Sequence, residues 1–217
     1  VRRQLEEELG SVLVSVLVFD IETVPDVENA RRTHAMGDLD DEGVAKALAH
    51  LRVQEVGHDF LRLDLHKIVA ISAVLQTEDR IRVWSLGNLD STEADLIGRF
   101  YQGLERYSPV LVSWNGNGFD LPVLNYRSLL HGIAAPRFWD QGEVDQQMRW
   151  NNYVNRYHQR HLDLMDVLSM FQPRGSVRLD DLAALLGLPG KGNMDGSKVW
   201  DQYVAGDLAS IRNYCET

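Results

Sequence analysis

The sequence predicts an α/β fold in which a mixed five-stranded sheet is flanked by helices. A run of apolar, mostly β-branched residues over 12–19 has the composition of a strand that is buried on both faces. Two strand-like runs follow at 67–76 and 80–84, and the short polar link between them favours an antiparallel hairpin. Helical and strand patterns then alternate, which is typical of strands joined by helical crossovers.

The first elements can be placed in order from their end signals. Pro25 ends the first extended segment, and a polar, partly helical insert is expected over 26–66. After the hairpin, Asp90 and Glu93 have the spacing of a capping box, which predicts that a helix begins there. The elements expected afterwards are a strand over 110–114, a sharp loop over 115–118, a helix from Asp120 to Gly132, a strand over 161–166 and helices from Leu179 and Asp207. We interpret 1–217 as one domain.

Composition restricts the possible functions. The 217 residues include 32 acidic and 22 basic side chains, which gives a formal net charge of −10 at pH 7. Because lysine and arginine supply most nonspecific affinity for nucleic acids, any such role must depend on a local basic strip or on bound cations. The single cysteine, Cys215, excludes an internal disulfide and a cysteine metal cluster.

The longest apolar run does not predict a membrane anchor. It is far shorter than the ~20 residues that a membrane helix needs. Asp20-Ile21-Glu22 follows it, where a signal peptide would have small residues before a cleavage site. We therefore expect no membrane partner and a cytoplasmic location.

Three carboxylates follow two of the predicted strands. Asp20 and Glu22 are expected on one face at the end of the first strand, where two adjacent charges need solvent, a basic partner or a hard cation such as Mg²⁺ or Mn²⁺. The alternative is a solvated strand end. Asp120 follows a strand that, if parallel to the first, would bring it near Asp20. The alternative for Asp120 is a helix N-cap.

These residues carry a family resemblance. Phe-Asp-Ile-Glu-Thr at 19–23 resembles the first motif of the DEDD exonuclease superfamily, and Asn-Gly-Asn-Gly-Phe-Asp at 115–120 resembles the second. Their order and spacing are most similar to the 3′→5′ exonuclease domain of family B DNA polymerases and its stand-alone predicted bacterial relatives, of DEDDy type. The resemblance runs from the first strand to the carboxyl end, and the insert is its least similar part. It implies a ribonuclease H-like fold.

The third motif of this subgroup is Tyr-x-x-x-Asp. Tyr214 begins it, provided that an aspartate immediately follows Thr217, so we expect the chain to be truncated at its carboxyl end. Without that aspartate, this fragment is expected to bind at least one metal poorly and to be weakly active or inactive. Tyr203 and Asp207 also fit the motif, but we interpret them as a decoy because Asp207 has the context of a helix N-cap.

The resemblance implies a site for two divalent cations, Mg²⁺ or Mn²⁺. Asp20 would bridge both ions, Glu22 and Asp120 would each support one, and Tyr214 would orient the attacking water. These four residues are the predicted catalytic group. The cations would offset the repulsion between an acidic protein and a phosphodiester, and the expected product is a nucleoside 5′-monophosphate.

The expected partner is the 3′ end of a single-stranded nucleic acid, with DNA favoured over RNA. The resemblance implies substrate contacts by Ile21, Thr23, Asn115 and Phe119. Phe119 alternatively belongs to the core. The aromatic and basic residues of 149–160 have the composition of a single-strand groove or of a solvated irregular segment. The sequence does not identify a protein partner.

Other functions stay open at this stage. One is an RNA exonuclease of the same superfamily, and another is a catalytically silent module that binds nucleic acid. A phosphohydrolase with a Walker loop is disfavoured, because 187–192 has too short a spacing and no Ser or Thr after Lys191. His161 and Asp163 suggest either a metal pair or, as we prefer, structural residues at a strand edge.

Overall fold

A computed structural model describes residues 15–172, 174–189 and 196–217. The strands are β1 (Val16–Pro25), β2 (His66–Gln76), β3 (Ile81–Ser85), β4 (Val110–Ser113) and β5 (His161–Asp163). They form a five-stranded sheet in the order β3-β2-β1-β4-β5. The β1/β2 and β2/β3 pairs are antiparallel, whereas β4 runs parallel to β1 and β5 parallel to β4. The mixed sheet and its hairpin confirm the predicted fold class.

Helices flank this sheet. They are α1 (Val27–His34), α2 (Asp41–Val56), α3 (Glu93–Tyr107), α4 (Asp120–His131), α5 (Pro136–Trp139), α6 (Leu164–Leu168), α7 (Leu179–Leu185), α8 (Val199–Val204) and α9 (Leu208–Cys215). Short 3₁₀ turns occupy Leu63–Leu65, Gln146–Arg149 and Gly196–Lys198. Within the described ranges, no helix combines the length and the apolar character that crossing a membrane requires.

β1 extends further than its apolar run. The apolar run stops at position 19, but the strand continues to Pro25, where the sequence predicted the end of the extended segment, and it therefore contains Asp20 and Glu22. The reason is pairing, since β2 lies opposite both acidic residues and continues the backbone ladder past them. Positions 12–14 of the predicted strand lie outside the described residues.

A β-bulge interrupts the pairing of β1 with β2. Glu22 lies opposite Ala70, but the next residue, Thr23, lies opposite Ile68, so Val69 is the extra residue. As a result Ile68 joins the main core, and Ala70 joins a smaller cluster on the other face of the sheet.

The two faces of β1 have different partners. Leu17, Phe19 and Ile21 belong to the main core, which also contains buried residues of α3 and α4. The second cluster consists of Val24, Ala70, Val199, Ile211, Tyr214 and Cys215. Because side chains alternate along a strand, Asp20 and Glu22 point away from the main core, towards α9.

The start of α3 differs from the sequence prediction. The N-cap is Thr92, whose backbone N–H donates to Asp95 Oδ2 at 2.9 Å, and Asp95 N–H donates back to Thr92 Oγ1 at 3.2 Å. The capping box predicted for Asp90 and Glu93 is therefore wrong. Glu93 is instead buried and accepts hydrogen bonds from the Arg127 guanidinium.

The insert between β1 and β2 forms α1 and α2. The partly helical character expected for 26–66 is confirmed, and Asp40 caps α2 by accepting a hydrogen bond from Gly43 N–H at 2.8 Å. The insert packs around a small apolar cluster of its own, formed by Ala30, Val44, Leu48, Leu61 and Leu65. The Asp26 carboxylate at its start binds Arg127 of α4, so the insert is tied to the sheet-covering helices.

Candidate active site

The first part of the site lies where β1 meets α9. One carboxylate oxygen each of Asp20 and Glu22 and the Sγ atom of Cys215 all lie within 4.8 Å of one another. Asp20 is half-buried and Glu22 is buried. The sequence predicted that the two acidic side chains share a face, and the structure brings them together. It did not predict that Cys215 lies beside them.

Asp120 is the first residue of α4. The N-cap of that helix is Phe119, and no side chain caps the helix end, so the interpretation of Asp120 as an N-cap is wrong. Asp120 is only 3% exposed. Its Oδ1 atom is buried and has no hydrogen-bond partner. A buried, unpartnered carboxylate oxygen is costly and is therefore unusual in a folded protein.

The charge of Asp20 acts on Asp120. Burial raises the pKa of Asp120 well above its ordinary value, and the neighbouring charges of Asp20 and Asp163 raise it further. The backbone N–H groups of Asp120 and Ile21 oppose this shift. Asp120 therefore lies close enough to Asp20 for the two charges to interact. Carboxylates arranged in this way are a suitable donor set for a hard divalent cation, which would supply the missing partner for Asp120 Oδ1.

Tyr214 lies on α9, which covers the acidic face of β1. It is buried, and together with Asp20 and Cys215 it lines a pocket of about 360 Å³. The Arg212 guanidinium anchors the helix by donating hydrogen bonds of 3.0–3.2 Å to the carbonyl oxygens of Ser85, Leu86 and Gly87. Ile211, Tyr214 and Cys215 are the buried residues of this helix.

Cys215 contacts β1 directly. Its thiol donates a long hydrogen bond of 3.5 Å to the backbone oxygen of Asp20. Burial raises the pKa of the Cys215 thiol, and the negative charges of Asp20 and Glu22 raise it further.

The loop that leads to Asp120 is held by a residue from β5. The Asp163 carboxylate accepts hydrogen bonds from the backbone N–H groups of Asn115 at 2.8 Å, Asn117 at 2.9 Å and Met165 at 3.2 Å. Asn115 has a left-handed φ of 64°. A Cβ atom at Gly116 would lie 2.1 Å from Ser113 Oγ, so the tight turn requires glycine there.

The preferred structural role of His161 and Asp163 is confirmed by these contacts. His161 Nε2 and Ser113 Oγ are 2.8 Å apart, and burial lowers the pKa of His161 to about 4. The sequence did not predict that Asp163 positions the loop. The sequence feature that could have indicated this role is the position of Asp163 at the end of a strand next to β4.

Two of the predicted substrate residues, Phe119 and Thr23, lie beside His66. The Phe119 ring packs against Phe60, with 5.6 Å between ring centroids, and edge-on against His66 at 5.0 Å. Thr23 Oγ1 lies 2.9 Å from His66 Nδ1. Ile21 is buried in the main core. Contact of Ile21, Thr23, Asn115 and Phe119 with a substrate stays a prediction, and the sequence did not single out Phe60 of the insert.

The aromatic and basic segment 149–160 is irregular but only partly exposed, and its role as a single-strand groove stays a prediction. Tyr153 is buried and its hydroxyl donates to Pro109 O at 2.6 Å, so it belongs to the core. Trp150, in contrast, is 78% exposed. Arg156 binds the Asp166 carboxylate through bonds of 2.8 and 2.5 Å.

The second match to the third motif is explained by helix capping. Asp207 Oδ1 accepts a hydrogen bond from Ser210 N–H at 3.1 Å, which confirms that Asp207 begins the last helix. The Tyr203 hydroxyl accepts a hydrogen bond from Lys67 Nζ at 3.1 Å. Of the segment 187–192, positions 190–192 lie outside the described residues.

Solved structures show a related fold. The family B DNA polymerase of Pyrobaculum calidifontis aligns with 93% of this chain at 18% identity and a TM-score of 0.50. The chain spans only 22% of that polymerase. A zinc-bound complex of E. coli ExoI with single-stranded DNA aligns with 92% of this chain and 40% of its own, at 13% identity and a TM-score of 0.39. No curated protein sequence matches this chain.

The sheet order and the polymerase alignment define a ribonuclease H-like fold of exonuclease type. The chain belongs to the family described as a predicted 3′-5′ exonuclease related to the exonuclease domain of PolB, whose family model matches residues 58–217. This match includes Asn115, Phe119, Asp120 and Tyr214, and it begins after Asp20 and Glu22. The chain is therefore a 3′-5′ exonuclease-like domain, as the motifs indicated.

Proposed function

We propose that this protein is a two-metal-dependent 3′→5′ exonuclease that releases nucleoside 5′-monophosphates from single-stranded DNA 3′ ends. The observation that carries the proposal is the buried, unpartnered Oδ1 atom of Asp120 beside the Asp20 carboxylate. Membership of the exonuclease family supports the same reaction.

Asp20, Glu22 and Asp120 would hold the divalent cations, Mg²⁺ or Mn²⁺. Bound cations would lower the pKa of an attacking water and stabilise the leaving 3′ oxygen. The chain itself provides the carboxylates on β1 and α4, and α9 presents Tyr214 to orient the water. Much of the lining of the pocket beside Asp20 and Tyr214 is apolar.

The terminal nucleotides would lie against the ring cluster of Phe119, Phe60 and His66. Aromatic stacking contributes about 1–3 kcal/mol per base without reading sequence. Phe60 is more than half exposed, which leaves ring surface for a base. Thr23 and the Asn115 side chain, at the ends of β1 and β4, would contact the same nucleotides, and Ile21 would contribute through its backbone.

The test is Asp20→Asn in the full-length protein, assayed with a 5′-labelled oligonucleotide and Mn²⁺. We expect hydrolysis to fall at least about a thousandfold, because the cation loses a charged ligand. Asp207→Asn is the matched control, since asparagine also caps helices and Asp207 lies outside the carboxylate group. Unchanged cleavage by Asp20→Asn would refute the proposal.

Matched DNA and RNA oligonucleotides distinguish the substrates. We expect faster digestion of single-stranded DNA. Faster RNA digestion would identify an RNA exonuclease, and binding without Mn²⁺-dependent cleavage would identify a silent nucleic-acid-binding module.

A further inference from the structure

The Cys215 thiol lies beside two of the carboxylates of the candidate site. Its Sγ atom is within 4.8 Å of oxygen atoms from both Asp20 and Glu22. It is 6% exposed, and it lines the same pocket as Asp20 and Tyr214, which provides an approach for a small ion. The sequence contains no other cysteine.

The mixture of ligand types has a chemical consequence. Mg²⁺ prefers oxygen ligands, whereas Zn²⁺ and Cd²⁺ accept both carboxylate oxygen and thiolate sulfur. Zinc bonds of about 2.0 Å to oxygen and about 2.3 Å to sulfur place two ligands of one ion up to about 4 Å apart. Small side-chain rotations therefore suffice to bring Asp20, Glu22 and Cys215 onto a single ion.

A separate observation, on Asp120, favours a cation at this site. Asp120 is almost fully buried, its Oδ1 atom has no partner, and the Asp20 charge acts on it. A cation bound by Asp20 would reduce the repulsion between the Asp20 and Asp120 carboxylates.

We propose that Cys215 is a ligand for soft divalent cations, and that Zn²⁺ or Cd²⁺ bound by Asp20, Glu22 and Cys215 inhibits the enzyme. When the ion binds, the S–H bond breaks, a sulfur–metal bond forms and the proton passes to solvent, without electron transfer. The ion occupies carboxylates that the catalytic cations need. The inhibition rests on the proposed function, whereas the ligation requires only the geometry of this site.

The ligation is tested by titrating the protein with Cd²⁺ at fixed pH and recording the ultraviolet thiolate-to-metal charge-transfer band. With one cysteine in the chain, a band has one source. We expect a saturable band that is absent in Cys215→Ser and in Cys215→Ala, with circular dichroism to verify folding. Asp20→Asn should weaken Cd²⁺ binding at least about tenfold, and Asp207→Asn should not.

The outcomes separate the two proposals. A band that is absent, or whose affinity is unchanged in Asp20→Asn, would overturn the shared site. Zn²⁺ should inhibit Mg²⁺-dependent hydrolysis more strongly in the native protein than in Cys215→Ser, each compared with its own zinc-free rate, and equal inhibition would overturn the inhibitory role. A cadmium band without any Mg²⁺-dependent hydrolysis would support the ligation and refute the nuclease function.

Discussion

The burial of the Asp120 carboxylate is costly for the fold. One of its oxygen atoms has no partner, and the nearby Asp20 charge opposes its ionisation. Such a group destabilises the metal-free fold. A bound cation would remove the destabilisation, because it would supply both the missing partner and the opposite charge.

We expect Asp120→Asn to stabilise the metal-free protein by about 1–3 kcal/mol, because an amide carries no charge into the buried position. Urea unfolding measures the change. Mn²⁺ at about a hundredfold excess over its Kd should stabilise the native protein by about 2.7 kcal/mol and should not stabilise Asp120→Asn. A metal-free variant less stable than the native protein would contradict this explanation.

For single residues, the sequence predicts which face of a strand a side chain occupies and which side chains lie near the end of a strand. Asp20 and Glu22 share a face because strand side chains alternate, and Asp120 comes near Asp20 because it follows a strand parallel to β1. The contact of Cys215 with Asp20 joins residues 195 positions apart. It depends on how α9 packs against the sheet, which no local pattern contains.

The loop between β4 and α4 depends on β5. Three backbone N–H groups donate to the Asp163 carboxylate, and two of them belong to the loop that delivers Asp120. A short edge strand thus holds the loop that leads to a predicted metal ligand at the start of α4.

We expect Asp163→Asn to lower stability by about 1.5–3 kcal/mol, because an amide offers one acceptor oxygen where the carboxylate offers two. Hydrogen exchange should accelerate at the Asn115 and Asn117 amides, and Mn²⁺ affinity should fall. Asp140→Asn is the matched control. Asp140 accepts hydrogen bonds from the backbone N–H groups of Gly142, Val144 and Asp145, in a loop without predicted site residues.

The control should lose similar stability and keep its exchange protection at Asn115. If both variants lowered Mn²⁺ affinity equally, Asp163 would have only a general structural role.

The boundary of α3 shows a limit of element prediction. Asp90 and Thr92 both satisfy capping preferences, and the choice falls on Thr92 because Glu93 is needed by Arg127.

Across the whole molecule, Arg127 connects distant segments. Its guanidinium binds Asp26 at the start of the insert and Glu93 of α3, and Glu93 also accepts the Ile68 backbone N–H of β2 at 2.6 Å. All three ionic side chains are buried. This network fixes the insert and two helices relative to the sheet that carries the site.

We expect Arg127→Met to destabilise the protein by about 3–5 kcal/mol, because it leaves two buried carboxylates without their cation. Denaturant unfolding measures this effect. Combining it with Glu93→Gln should cost less than the sum of the single changes, because the paired charge is then also removed. Additive effects would show that the contact contributes little beyond packing.

The mixed sheet and its antiparallel hairpin were predictable from the order of apolar runs, but the strand order and this network were not. Arg127 and Asp26 lie 101 positions apart, and helical spacing identifies only which face of α4 is buried. That 1–217 form one domain stays a prediction.

The bulge at Val69 has a consequence for comparing related chains. It absorbs one residue of β2, so Ala70 faces α9 while Ile68 and His66 serve the opposite layer. A chain without that residue would keep the same partners for Thr23 and His66, in an ordinary ladder. An alignment gap at Val69 would therefore leave these contacts unchanged. A gap on either side of Val69 would shift the register and turn the His66 ring away from Phe119.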